Sequence, residues 1–187
     1  MGVQMDEDAR LLAVERAYDT YRDDVFRVAF AILRDQDDAA EATQDVFVRA
    51  FEAWERYDPR RPLRPWLHAI ASRIALDQLR RKRVRRIAIP GLSERPAGMP
   101  GDPFAGTDPA SNAGPRHTVE EVLASLQPIA RAAVLLRHRY GYDYDEIGAF
   151  LGISSSNVGA ILTRARAALR PRFHDETLNS SDEEKEA

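Results

Sequence analysis

Residues 90–116, PGLSERPAGMPGDPFAGTDPASNAGPR, divide this 187-residue chain into two parts. Proline, glycine and alanine dominate the stretch, and apolar periodicity vanishes in it. No single core threads through such a segment. The chain is therefore restricted to two small folded units on either side. Both flanks are patterned at the helical period and neither alternates at the strand period. The fold class expected is all-α: two small helical domains joined by a flexible linker.

The first flank predicts three helices. Leu11, Leu12, Val14, Tyr18, Tyr21, Val25, Phe26, Val28, Ile32 and Leu33 place a helix over 9–34. Asp37 or Asp38 would cap a second, over 38–57, carrying Ala39, Ala42, Val46, Phe47, Ala50, Phe51 and Trp54. Pro59 and Pro62 stop it. A third runs from Leu63 to Arg86 on Trp66, Leu67, Ile70, Ile74, Leu76 and Leu79, with Pro65 in its first turn. The second flank predicts helices over 118–126 and 128–140, then a helix-turn-helix. Ile147 and Leu151 form one face of a short helix, and Gly152 supplies the positive φ of the turn. Ile153 plugs the corner. Ser154, Ser155 or Ser156 caps a longer helix whose buried stripe is Val158, Ile161, Leu162, Ala165 and Leu169. Domain bounds of 9–89 and 118–174 follow, with a linker over 90–117 and a solvated acidic tail over 175–187.

Charge is distributed unevenly. The net charge is −3, but residues 1–8 and 175–187 hold nine of the acids; without them 26 basic residues face 21 acidic ones. Residues 9–58 carry 7 basic and 12 acidic residues, whereas residues 59–90 carry 10 and one. A basic block of that density is a footprint for phosphate. The acidic block before it points to a second, different partner. The chain has no cysteine, which excludes disulfides and thiolate metal sites. No apolar run approaches a membrane span, and the N-terminus lacks the apolar core of a signal peptide. A cytoplasmic protein without membrane insertion is expected. His68, His117, His138 and His174 are scattered, and no phosphate loop or metal-binding motif occurs. No catalytic residue, enzyme activity, metal or cofactor is expected.

In order along the chain, Asp38-Ala39-Ala40-Glu41-Ala42-Thr43-Gln44-Asp45-Val46-Phe47, then Pro65-Trp66-Leu67-His68-Ala69-Ile70-Ala71, then Asp77-Gln78-Leu79-Arg80-Arg81 resemble motifs of the extracytoplasmic-function group of bacterial sigma factors. Leu126-Gln127-Pro128, Tyr144-Asp145-Glu146-Ile147-Gly148 and Arg164-Ala165-Arg166-Ala167-Ala168-Leu169-Arg170 continue the match in the second half. Each motif alone is modest, and the ordered set is specific. The resemblance implies a first domain of three to four helices (region 2) that binds the β′ clamp helices of RNA polymerase core and the −10 promoter element. It implies a second domain of four helices (region 4) that binds the β flap and reads the −35 element. Control by an anti-sigma factor is implied too.

The residues support these roles by their chemistry. Asp38, Glu41, Gln44 and Asp45 fall on or near one helical face and, with Phe47, form the candidate polymerase-binding set. Arg60, Arg61, Arg64, Arg73, Asp77, Arg80, Arg81 and Arg83 form the candidate −10 set, backed by six cations in residues 80–86. Tyr57 and Trp66 are candidate stacking groups for an unpaired base; for Trp66, and for Trp54, burial in the domain core is the preferred reading. Ser155, Ser156, Asn157, Gly159, Ala160, Thr163 and Arg164 form the candidate −35 set. Two departures from the family stand out. Arg73 replaces an asparagine that the family often carries, which bears on −10 preference. Gly159 and Ala160 stand in a run where the family commonly has cations, so weaker direct −35 readout is expected, offset by DNA shape. Two other functions share these features: a helix-turn-helix regulator acting without polymerase, and an interaction module binding polymerase or an anti-sigma factor. A flexible tether also predicts that the two domains, free in solution, move relative to each other unless a partner clamps them.

Overall fold

The computed structural model describes residues 7–88 and 123–179, with side chains over 7–85 and 123–168. The calls on the linker, the acidic tail and most of the 118–126 helix lie outside them. All described elements are helical. The first unit holds α1 (Glu7–Leu33), α2 (Gln36–Ala53), a 3₁₀ turn (Trp54–Arg56) and α3 (Leu63–Ala88). The second holds α4 (Pro128–His138), α5 (Tyr144–Leu151) and α6 (Ser155–Asn179), preceded by a helical turn at 123–125. No described helix is long and apolar enough to cross a membrane.

Helices α1, α2 and α3 pack mutually. Fully buried alanines line their seams, among them Ala29, Ala39, Ala42, Ala50, Ala71 and Ala75. Small residues at the crossings let the backbones approach closely, while Val25, Val28, Ile32, Val46 and Leu67 fill the centre. The cap of α2 differs from expectation. Asp35 caps it, with extended backbone (φ −134, ψ 131), and accepts from the Asp38 amide at 2.9 Å. Arg34, at φ 57, reverses the chain one residue earlier, which leaves Asp37 and Asp38 inside the first turn. The helix also gives way to the 3₁₀ turn at Trp54, short of residue 57.

In the second unit, Asp143 and Glu146 form a reciprocal capping box at the start of α5, with bonds of 2.8 and 2.9 Å. Gly152 ends that helix at φ 69. At Gly148 a Cβ would lie 2.6 Å from the Ile153 carbonyl oxygen, so only glycine lets the turn fold back this tightly. Of the three serines, Ser154 caps α6, accepting from the Asn157 amide at 3.3 Å.

The two units are docked. Helix α1 packs on α4 and α3 packs on α5, and the buried residues of both units form one contiguous cluster. The tether predicts units that move relative to each other unless a partner clamps them; in this structure side chains of the two units meet at a shared seam.

Candidate nucleic-acid interface

Helix α2 presents Glu41, Gln44 and Asp45 to solvent on one face. Asp38 is turned away from them: its carboxylate pairs with Lys82 of α3 and its side chain is 19% exposed. Phe47 is not on that face. It is 6% exposed and meets Tyr18 edge-on at 4.9 Å between ring centres, so it supports the face from beneath. Phe47 lies in phase with Thr43 and Ala50, which are both buried. A residue absent from the sequence-based set takes its place on the surface. Val48 is 58% exposed, an apolar group beside the acids. Its signal was an apolar residue out of phase with the buried stripe.

On α3, Arg73, Asp77, Arg80 and Arg81 are exposed, and the first three follow one another at helical spacing. Asp77 accepts from Arg80 at 3.0 Å, which orients that guanidinium along the helix. Arg83 is half-buried, and Arg85 extends the exposed positive field. Lys82, committed to Asp38, faces α2 rather than this field.

The turn before α3 is organised by Asp58. Its side chain accepts from the Arg60 amide at 3.0 Å and its carbonyl from the Arg61 amide at 3.0 Å. Tyr57 donates its hydroxyl to the Arg61 carbonyl. Arg60 and Arg61 therefore project from a pinned loop, both exposed. Behind them Trp54, Tyr57 and Trp66 form a half-buried aromatic cluster with centroids 5.0–6.0 Å apart. Arg64 is drawn aside: its Nε lies 3.2 Å from Asp24 of α1 and its guanidinium over the Tyr21 ring.

In the second unit, Ser156, Asn157, Ala160, Thr163 and Arg164 are exposed on α6, and Ser155 and Gly159 are half-buried. The Thr163 hydroxyl donates to the Gly159 carbonyl at 2.9 Å, so its proton is already used within the helix. Tyr144, at the start of α5, lies across Gly159, where a Cβ would sit 3.4 Å from its ring. The Arg137 guanidinium lies over the same ring, 5.4 Å from its centre. The exposed start of α6 is thus small and polar, flanked by an aromatic ring and a guanidinium.

Residues 17–85 match the family model Sigma-70 region 2, and residues 116–169 match Sigma-70, region 4. The ECF RNA polymerase sigma factor SigE of Mycolicibacterium smegmatis is 36% identical over 80% of this chain, which spans 57% of that relative's length. A probable RNA polymerase sigma-C factor of Mycobacterium bovis is 31% identical, with 84% of this chain and 81% of the relative covered. Among solved structures, the sigma factor RpoE of Bartonella quintana, determined in complex with the anti-sigma factor NepR, superposes with a TM-score of 0.65 at 17% identity. That match covers 86% of this chain and 96% of the other. CnrH, determined with the cytosolic domain of CnrY, superposes at 0.57 and 22% identity, covering 90% and 92%. These two likenesses concern the fold.

Proposed function

This chain belongs to the extracytoplasmic-function group of RNA polymerase sigma factors, and from that premise we propose that it directs RNA polymerase core to specific promoters under the control of an anti-sigma factor. The observation that carries the reading is the separation of three surfaces. An acidic face on α2, a basic face on α3 and the exposed start of α6 point to different partners.

In this reading Glu41, Gln44 and Asp45 meet the clamp helices of polymerase, with Val48 as an apolar anchor among them. A cationic partner helix finds charge complementarity there, which aids orientation and on-rate. Arg60, Arg61, Arg73, Arg80 and Arg81 hold the −10 element, chiefly through phosphate. The chain has no nucleotide-binding motif, so strand opening draws on binding energy alone; an unstacked base would lodge near Tyr57 and Trp66. Ser156 and Asn157 approach base edges at −35, with Arg164 and Arg137 beside the backbone. The protein acts as an initiation factor in the bacterial cytoplasm, adding no catalysis of its own to that of polymerase.

Gel filtration with core polymerase tests the first step, and absence of co-elution sinks the proposal. Run-off transcription tests the second. Arg80→Ala and Arg81→Ala should lower transcript yield while polymerase binding is kept; full yield from both would remove α3 from the promoter surface. A regulator that ignores polymerase fails the first assay, and a binding module that cannot open DNA fails the second.

A further inference from the structure

Helix α3 carries one group that the proposed promoter surface leaves unused. Val84, near the end of the helix, is 65% exposed, the most exposed large apolar residue among those described. A single apolar group on a surface is ordinary; the place of this one is not. Arg73, Asp77, Arg80 and Val84 follow one another at spacings of four, three and four, so Val84 closes the same exposed stripe of the helix. The opposite side of α3 is fixed inward, because Lys82, two residues before Val84, pairs with Asp38 of α2. Arg81 and Arg85 are exposed near Val84 on the helix. Asp77 accepts from Arg80 at 3.0 Å, which draws that guanidinium toward the preceding turn and leaves the valine methyls bare.

The two ends of α3 address different parts of a promoter. The Tyr57–Trp66 cluster, where an unstacked base would lodge, stands at the start of the helix. From Trp66 to Val84 the helix rises about 27 Å, at about 1.5 Å per residue. That is up to about eight base steps at about 3.4 Å each, which puts Val84 over the duplex that flanks the opened element. The major groove admits a helix, and the guanidinia of Arg81 and Arg85 can hold phosphates at its walls. Base edges in that groove offer donors, acceptors and, on thymine alone, a methyl group. Valine can neither donate nor accept. It gains from the thymine methyl, whereas a cytosine amino group or a guanine oxygen facing it would lose water with nothing in return.

We propose that Val84 is a specificity-determining residue that packs on the 5-methyl group of a thymine in the duplex major groove beside the −10 element. The inference rests on the sigma-factor reading of α3. Two pools of random-sequence duplex test it, one synthesised with thymine and one with uracil in its place, since uracil lacks only that methyl. Polymerase carrying the parent chain selects bound duplexes from each pool, and the selected sequences are counted. The parent should enrich thymine about fourfold at one position within about eight steps of the −10 element, the worth of one buried methyl group. Uracil should show no enrichment there. Val84→Ala should lose the thymine preference at that position while keeping co-elution with polymerase and the rest of the selected sequence. Val84→Thr, which keeps one methyl on Cβ, should retain part of the preference. A thymine preference that survives in Val84→Ala, or that persists with uracil, overturns the assignment. So does a parent that selects a −10 element with no thymine preference in the flanking duplex. A parent that selects no −10 element at all overturns the sigma-factor reading, and the assignment falls with it.

Discussion

Acidification should open the docked units through His68. In the docked chain burial pushes its pKa down to about 4, the field of Arg64 adds to that, and Asp24 opposes it. Undocked, the imidazole faces water and returns to about 6.5. Its neighbours at the seam are Asp24 and Arg64 from the first unit and Tyr140 and Tyr142 from the second, and burial raises the pKa of both tyrosines, so they stay neutral. In either tautomer the neutral ring shares one hydrogen bond with Tyr142, and Nε2 is buried without a partner. A protonated ring would donate Nδ1–H to the Tyr142 oxygen and bury a charge, with Nε2–H left as an unpaired donor. The sign follows from proton counting. The open form binds more protons between the two pKa values, so docking is complete above about pH 6.5 and weakens as pH falls toward 4. At pH 5 the loss is about 2 kcal/mol, a closed-to-open ratio lowered roughly 30-fold; the limit below pH 4 is about 3 kcal/mol. Energy transfer between dyes on Ala40→Cys and Ala167→Cys, exposed positions in a chain without native cysteine, read from pH 7.5 to 5, measures this directly. His68→Gln keeps an acceptor for Tyr142 and should flatten the profile. A His68 imidazole that titrates near 6.5 by NMR in the intact chain, or a parent profile as flat as that of His68→Gln, would refute the reasoning.

Other consequences concern the separate surfaces. Gly148→Ala should lower stability by about 1–2 kcal/mol, because overlap with the Ile153 carbonyl outweighs the roughly 1 kcal/mol gain in helix propensity; a thermal melt at or above that of the parent contradicts it. Gly159→Lys should tighten binding to −35 duplex and steepen its salt dependence by about 0.9 in log–log slope, the Tyr144 ring edge giving way slightly. An unchanged slope would place Gly159 away from phosphate. Asp45→Ala or Glu41→Ala should weaken polymerase binding more than Asp38→Ala, since Asp38 is held by Lys82. A competition assay with labelled polymerase ranks the three, and Asp38→Ala as the most damaging would reverse the assignment of the face.

The helices were readable because their apolar residues recur at the helical period, and a buried stripe must do so. The caps were less so. Asp35, Asp37 and Asp38 are chemically equivalent as caps, and only the reversal at Arg34 decides which one takes extended backbone. Phe47 was placed among surface groups on motif grounds, although its register with Thr43 and Ala50 pointed inward. The docking contacts had no comparable signal, since their partners lie 74 to 116 residues apart in sequence. Arg131, which donates to the Ala31 carbonyl of α1, alone carried a hint, a cation flanked by Ala130, Ala132 and Ala133 on a helix with little other reason to bury it.

The loop pinned by Asp58 and Tyr57 has a consequence for strand opening. Ordering a free loop on DNA costs about 1–2 kcal/mol per residue in backbone entropy. In this chain the backbone of Arg60 and Arg61 is fixed before any DNA arrives, by bonds to Asp58 and Tyr57. Roughly 2–4 kcal/mol that a slack loop would lose on contact is therefore kept for separating bases, about the cost of unstacking one. How readily such a chain opens a promoter then depends in part on preorganisation by hydrogen bonds that never touch DNA.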